Sequence, residues 1–152
     1  MGGAPQTFAA FTRLLPYRQK LIHVRWSGEA VWVPLGDFNL GVGFENHTSH
    51  PSAGDVLFYP GGLSETELLI AYGGCSFSSK MGPLAGNHFL TLVEGREHLP
   101  ALGRAVLWQG AQEVEFDWES PQSRCAEAGD DPAAAGTQGQ AGGPCAAGPL
   151  IV

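Results

Sequence analysis

The sequence predicts a mostly β protein, built as a closed or partly open antiparallel barrel with one or two short helices. The chain has 22 glycines and 11 prolines among 152 residues, which favours a loop-rich β architecture over a helical bundle. Its apolar runs are short, and turn residues separate them. About seven such strands are expected. Closing the sheet into a barrel would leave none of them with an exposed edge.

The chain begins with a predicted helix and a predicted hairpin. Phe8 and Phe11 recur at helical spacing between Thr7, a candidate N-cap, and Pro16, so we expect a short amphipathic helix over residues 7–15. Apolar runs at 21–26 and 29–33 then flank Ser27-Gly28, which favours a tight hairpin. Residues 34–53 are rich in Gly, Asn, His, Ser and Pro and are predicted to be irregular.

The middle of the chain predicts buried strands. Residues 55–59 and 66–72 lie on either side of Pro60-Gly61-Gly62 and are nearly continuous in apolar residues, as in strands buried on both faces. A further strand is expected over 88–94, and one or two helical turns, interrupted by Pro100, over 96–102.

A final hairpin is predicted from residues 106–109 and 112–118 around Gly110-Ala111. Val114, Phe116 and Trp118 share one face of the second strand, while acidic residues alternate with them. We therefore expect that strand to be half buried.

The chain divides into a barrel domain over residues 1–118 and a tail over 119–152. From Arg124 to Pro149 there is no aromatic residue and no Val, Ile or Leu. Such a segment buries too little apolar surface to offset its ordering entropy, so the sequence predicts a flexible tail.

Composition excludes several classes of partner. The net charge is −7, and the 8 basic residues are scattered singly, so neither nucleic acid nor an anionic membrane surface is an expected partner.

No apolar run approaches the ~20 residues of a membrane span and no signal peptide is recognisable, which predicts a cytoplasmic protein. Three cysteines do not form a disulfide framework. No cofactor is implied.

Four segments resemble a bacterial family of uncharacterised proteins with a cyclophilin-like barrel. They read W-S-G-E-A-V-W (26–32), G-D-V-L-F-Y-P-G-G (54–62), S-E-T-E (64–67) and G-N-H-F-L-T-L-V-E-G (86–95). Relatives with this barrel usually place a strand or hairpin before the first helix, which implies an open edge here. The resemblance to true cyclophilins is architectural, because their catalytic arginine with its Phe, Met and Gln partners is not found; prolyl isomerase activity is not expected.

Two neighbouring carboxylates are the first candidate site. Glu65 and Glu67 point to the same face if both lie on a strand, and two like charges so close together raise one pKa and create an acid/base pair. The alternative is that both are solvated at a turn, where Ser64 is a candidate ligand group or satisfies the backbone.

Two further positions offer polar chemistry. Asn87 and His88 open a predicted strand, so His88 is a candidate base and Asn87 a candidate ligand group; a structural role at the rim of the barrel is the alternative. Arg25, beside Trp26 and Trp32, can clamp a carboxylate, or else the tryptophans are core residues and Arg25 points outward. No metal site is predicted.

These residues predict a protein that binds or acts on a small polar metabolite of the amide, ureide or carboxylate class. Its pocket would lie at the mouth of the barrel, with Glu65 and His88 in catalytic roles and Arg25, Ser64, Glu67 and Asn87 in ligand binding. The competing hypothesis is a non-catalytic module that uses an open barrel edge to pair with a partner or with a second copy.

Overall fold

The computed structural model describes residues 3–117, which contain two α-helices and nine strands. Helix α1 spans Pro5–Thr12 and helix α2 spans Leu99–Gln109, directly after a 3-10 turn at Arg96–His98. The strands are β1 Tyr17–His23, β2 Gly28–Gly36, β3 His47–Thr48, β4 Asp55–Tyr59, β5 Thr66–Cys75, β6 Ser78–Ser79, β7 Gly82–Pro83, β8 Gly86–Thr91 and β9 Gln112–Phe116.

Seven strands form one antiparallel sheet in the order β3-β8-β4-β5-β2-β1-β9, and β6 and β7 form a separate hairpin. The predicted mostly β antiparallel class with two short helices is confirmed. Within residues 3–117 the sheet is not closed into a barrel, because β3 and β9 are its two edges and do not pair with each other.

Helix α1 lies between the two ends of the curved sheet. The ring of Phe11 contacts Phe89 of β8 at 5.1 Å and Phe116 of β9 at 5.2 Å, both edge to face. One helix side chain therefore joins strands that are far apart in the sheet order, and the helix fills the place where a closed barrel would have further backbone pairing.

Strand alternation sorts side chains onto two faces. The inner face packs against both helices and carries the main core, including Val31, Val33, Val56, Phe58, Leu68 and Ile70. The outer face carries Ala30, Leu57, Tyr59 and Leu69, which pack with Phe77 and Leu84 at the two ends of the β6–β7 hairpin. The central strands are thus buried on both faces, as their apolar sequences predict.

The predicted strand over residues 106–109 is wrong, because these residues complete helix α2. Pro100 occupies the first turn of this helix, where backbone N–H groups have no intrahelical acceptor. The lack of an N–H therefore costs no hydrogen bond, and Pro100 starts the helix instead of interrupting it. Leu99, Gly103 and Val106 form the buried stripe. A Cβ atom on Gly103 would lie 2.5 Å from the ring of Tyr72, so glycine permits this close packing.

The start of the chain also differs from the sequence-based boundaries. Helix α1 begins at Pro5 and ends at Thr12, and β1 begins at Tyr17, where its pairing with β9 starts at Phe116. Thr7 is not the N-cap: its N–H and hydroxyl both donate to the carboxylate of Glu45, at 2.5 and 2.8 Å. A carboxylate from a distant loop thus satisfies the free amide of the first turn.

No helix within residues 3–117 has the length and apolarity that a membrane crossing demands. The predicted tail, Trp118 and two of the cysteines, Cys125 and Cys145, lie outside the described residues.

Candidate functional site

Glu67 is a buried carboxyl group on the outer face of the sheet. It is the second residue of β5 and pairs with Tyr59 of β4 on one side and Pro34 of β2 on the other. Only 6% of its surface is exposed. No hydrogen bond or salt bridge joins its side chain to another residue in the range 3–117, and its carboxyl oxygens keep only slight contact with solvent, which is unusual for a carboxyl group.

The surroundings of Glu67 favour its neutral form. Burial is the main cause that raises its pKa, the nearby charge of Glu65 adds to it, and together they bring the value to about 8. At neutral pH the side chain is therefore mostly a carboxylic acid, which donates one hydrogen bond and accepts others.

Glu65 and Ser64 belong to the turn that precedes β5. Glu65 is exposed, and its Oε2 accepts a hydrogen bond from the backbone N–H of Gly36 at 3.1 Å. Ser64 is half-buried in the same turn, which is held to β4 by a hydrogen bond of 3.0 Å from the N–H of Leu63 to the hydroxyl of Tyr59. Of the two sequence-based alternatives, the solvated carboxylate describes Glu65, whereas Glu67 is buried.

Trp32 lies next to Glu67 on the same face. It pairs with Leu69, two residues along β5 from Glu67, so the two side chains are diagonal neighbours across β2 and β5. The indole Nε1 of Trp32 is buried and has no hydrogen-bond partner within residues 3–117. A donor and an acid without partners thus lie side by side, a coincidence that depends on strand register and has no signal in the sequence.

Trp32, Tyr59, Glu65 and Glu67 form a region that we call the Glu67 site, and aromatic side chains cluster at its Tyr59 side. The ring of Tyr59 contacts Phe77 and Phe44, in each case with ring centroids 5.9 Å apart. Phe44 is 53% exposed and also contacts His47 at 5.5 Å. The site therefore combines few polar groups with an apolar aromatic wall, as small-molecule sites commonly do.

Asn87 lies on the other side of the sheet. Its amide oxygen accepts from the N–H of Glu45 at 3.0 Å, and its nitrogen donates to the hydroxyl of Thr7 at 3.0 Å and to the carbonyl of Gly43 at 2.8 Å. It is fully buried. These three bonds tie the 37–46 loop to helix α1, so Asn87 holds structure together at a position remote from Glu67.

His88 belongs to a separate polar cluster on the outer face. Its Nε2 lies 2.8 Å from Oγ1 of Thr91 and 3.2 Å from Oδ1 of Asp55, and the Thr91 hydroxyl donates to the same Asp55 oxygen at 3.1 Å. Asp55 was not singled out from the sequence, since it looks like an ordinary first residue of a strand. Only the pairing of β4 with β8 brings it to His88.

The structure therefore does not bring all the predicted site residues together. His88 pairs with Leu57 and Glu67 with Tyr59, so their Cα atoms are two strands and two residues apart, about 12 Å. The ring of His88 turns towards Thr91, away from Tyr59. Arg25 lies in the turn between β1 and β2, at the end of the sheet opposite to Glu67, and is exposed.

An apolar cleft of about 110 Å³ lies beside helix α1, between β8 and β9, and is lined by Phe8, Phe11, Leu15, Leu90 and Phe116 among others. None of the predicted site residues lines it. In residues 3–117, no three His, Cys, Asp or Glu side chains are grouped as metal ligands would be.

Comparison with known proteins supports a shared fold and a family. A family model described as a protein of unknown function, DUF3830, matches residues 2–118. No curated protein sequence matches the chain. Among solved structures, McbB in complex with tryptophan is similar, with a TM-score of 0.52 and 20% identity over 74% of this chain. The chain spans 36% of the McbB chain, and the similarity at this identity is one of fold.

Proposed function

This chain belongs to the DUF3830 family of proteins of unknown function, and from that premise we propose that it binds a small polar metabolite at the Glu67 site. The metabolite carries an amide, ureide or carboxyl group. The observation that carries the proposal is the burial of the Glu67 carboxyl without a hydrogen-bond partner among residues 3–117.

A carboxyl that keeps only slight solvent contact and has no protein partner loses most of its hydration on folding, so its presence requires a reason. Replacing Glu67 by an apolar residue would relieve that cost, since Leu68 and Leu69 show that this strand accommodates large apolar side chains. A ligand that supplies the missing hydrogen bonds is the simplest reason for a carboxyl here. The structural relative McbB was solved with tryptophan, which supports small-molecule binding on this type of fold.

The site lies on the outer face near one end of the sheet, not inside the barrel mouth that the sequence suggested. Phe44 contacts Tyr59 of the site, is half exposed and is carried on a loop, so its movement would widen access to the site. A protonated carboxyl with a pKa of about 8 can also act as a general acid near neutral pH.

The proposal is tested by screening amides, ureides and carboxylates against the protein by ligand-observed NMR. We expect hits whose affinity falls at least tenfold in Glu67→Met, which keeps the volume of the side chain and removes its polar group. Glu113→Gln is the matched control, because Glu113 is an exposed carboxylate on β9, remote from the Glu67 site. Hits that bind Glu67→Met as tightly as the wild type, or a screen without hits, would contradict the proposal.

A further inference from the structure

We infer that Trp32 and Glu67 together recognise a neutral carboxamide or ureide group, a choice among ligand classes that rests on the proposed function. The indole N–H is a donor without a partner and the Glu67 carboxyl has none either, within residues 3–117. A carboxamide or ureide offers both a carbonyl acceptor and N–H donors on adjacent atoms. It can therefore satisfy both protein groups at once.

The spacing of the two side chains suits one such group. Trp32 and Glu67 are diagonal neighbours on one face of paired antiparallel strands, a relation in which the Cα atoms are about 7–8 Å apart and long or aromatic side chains reach each other. The indole Nε1 has no hydrogen-bond partner, so it is not bonded to the Glu67 carboxyl and a gap separates the two polar groups. A single planar group between them can hydrogen-bond to both.

The charges of the site discriminate against a carboxylate ligand. The charged group that acts on Glu67 is Glu65, which carries the same negative charge as a carboxylate ligand. Arg25, the cation that the sequence suggested as a clamp, lies at the opposite end of the sheet. A carboxylate ligand could accept hydrogen bonds from the indole N–H and from neutral Glu67, but it would meet the like charge of Glu65 and offer no N–H to the second Glu67 oxygen. A neutral amide avoids that repulsion and supplies the N–H.

An ammonium ligand is also a poorer match. It would be attracted to Glu65, but it has only donors and would leave the buried indole N–H of Trp32 without an acceptor. Sites that hydrogen-bond a ligand discriminate strongly against analogues that leave a buried polar group unpaired. The orphaned indole therefore selects a ligand with a carbonyl oxygen.

The protonation state of Glu67 makes recognition depend on pH. Glu65 from the turn before β5 and Tyr59 from β4 are the titratable groups beside it, and Pro34 and Trp32 from β2 are uncharged, as are the nearby Phe44 and Phe77. Below pH 8 the neutral acid donates a hydrogen bond from its O–H to the ligand carbonyl and accepts one from a ligand N–H at its other oxygen. Above its pKa of about 8 that donor is lost, so amide binding should weaken as pH rises through this value.

Three probes of matched shape test the inference: phenylacetamide, phenylacetate and phenethylamine. Their phenyl group suits the aromatic wall formed by Tyr59 and Phe44. We expect phenylacetamide to bind and to shift the indole N–H resonance of Trp32, which Trp32→Phe identifies. The other two probes should bind at least tenfold more weakly. Trp32→Phe should weaken phenylacetamide at least fivefold, and Trp26→Phe, the control at an exposed tryptophan in the β1–β2 turn, should leave it unchanged.

The outcomes separate this inference from the proposed function. If phenylacetate or phenethylamine binds as tightly as phenylacetamide and depends on Glu67, the ligand class inferred here is wrong while the binding site stands. Phenylacetamide binding that does not respond to Trp32→Phe also overturns the two-point recognition. If no probe binds, the inference fails, and failure of the broader screen would in addition remove the proposed function.

Discussion

At the scale of single residues, burial assigns different roles to side chains that look alike in the sequence. Glu65 and Glu67 are separated by one residue, yet Glu65 lies outside β5 and is exposed, whereas Glu67 lies within the strand, is buried and neighbours Tyr59. The two acids of one short motif thus differ in solvation, and burial together with the nearby charge of Glu65 raises the pKa of Glu67.

The raised pKa of Glu67 predicts a stability that decreases with rising pH. The unfolded chain loses this proton near the ordinary value of 4.5, whereas the folded protein keeps it up to about 8. The stabilising contribution of the protonated group is therefore complete below about pH 4.5, decreases as pH rises towards 8, and is lost above it. Glu67→Met removes this dependence.

We expect Glu67→Met to gain stability relative to the wild type between about pH 5 and pH 8.5. One pKa unit corresponds to about 1.4 kcal/mol and partial solvent access reduces the effect, so the relative gain should be roughly 1–4 kcal/mol. Urea unfolding at the two pH values measures it. Glu113→Gln, at an exposed acid on β9 remote from Glu67, is the control and should keep the pH dependence of the wild type. Identical pH slopes for the wild type and Glu67→Met would contradict the burial argument.

The hydrogen bonds of Asn87 predict that truncating its side chain destabilises the fold. Truncation in Asn87→Ala removes three hydrogen bonds and leaves buried partners unsatisfied, so we expect a loss of roughly 2–4 kcal/mol of unfolding free energy. The control is Asn39→Ala, because Asn39 is exposed and accepts one local bond from the N–H of Gly41. Chemical denaturation compares the two variants. Equal, small losses in both would show that the Asn87 network does not hold the loop to α1.

At the scale of elements, helix α1 connects the two ends of the sheet through Phe11. Its ring touches β8, β9 and Tyr17 of β1, so one side chain connects β8 to the paired strands β1 and β9, with which β8 does not pair. The helix has only eight residues, too short to be stable by itself, and its conformation depends on this packing and on the carboxylate of Glu45 at its first turn.

Phe11→Ala should therefore cost about 3–5 kcal/mol, the usual loss for a large aromatic side chain in a core. The reason is the cavity left between the two ends of the sheet. Phe11→Leu, which retains most of the apolar contact, should cost clearly less, and thermal unfolding distinguishes the two. If both substitutions are nearly neutral, the helix is not what joins β8 to β9.

Strand β9 is an edge of the sheet within residues 3–117, but its charges oppose pairing with a second copy. Its outward side chains Glu113 and Glu115 face Lys20 and Arg18 of β1, and Glu115 bonds the Arg18 guanidinium at 2.8 Å. Antiparallel pairing of two β9 strands would place carboxylates near carboxylates, which is unfavourable.

We therefore expect the double variant Glu113→Thr/Glu115→Thr to associate more strongly than the wild type, because threonine removes the repulsion and favours strands. Light scattering at concentrations of order 100 μM measures the change. Glu97→Thr, an exposed acid on the 3-10 turn, is the control. Strong association of the wild type that the double variant does not increase would show that self-association uses another surface.

Across the whole molecule, the two faces of the curved sheet carry different kinds of side chains. The inner face and both helices form the main core. The outer face carries two polar groups of residues, one around Glu67 and one around His88 with Asp55, separated by Leu57 and Leu69. The proposed recognition of a small molecule therefore takes place on the side of the sheet that does not contain the main core.

The mostly β class and the buried central strands could be predicted from the sequence, because apolar runs and turn residues are local signals. The uncharacterised family could be predicted from the resemblance of four short motifs. The sequence-based prediction placed residues 106–109 in a strand, because the sequence does not show whether Pro100 begins a helix or interrupts one. The packing of Gly103 on Tyr72, which belongs to the tertiary structure, fixes Pro100 at the start of α2. The tertiary structure alone decided that the sheet stays open and which side chains become neighbours. Strand order and register place Trp32 beside Glu67 and Asp55 beside His88, and these pairings join residues far apart in the chain, so no local pattern records them.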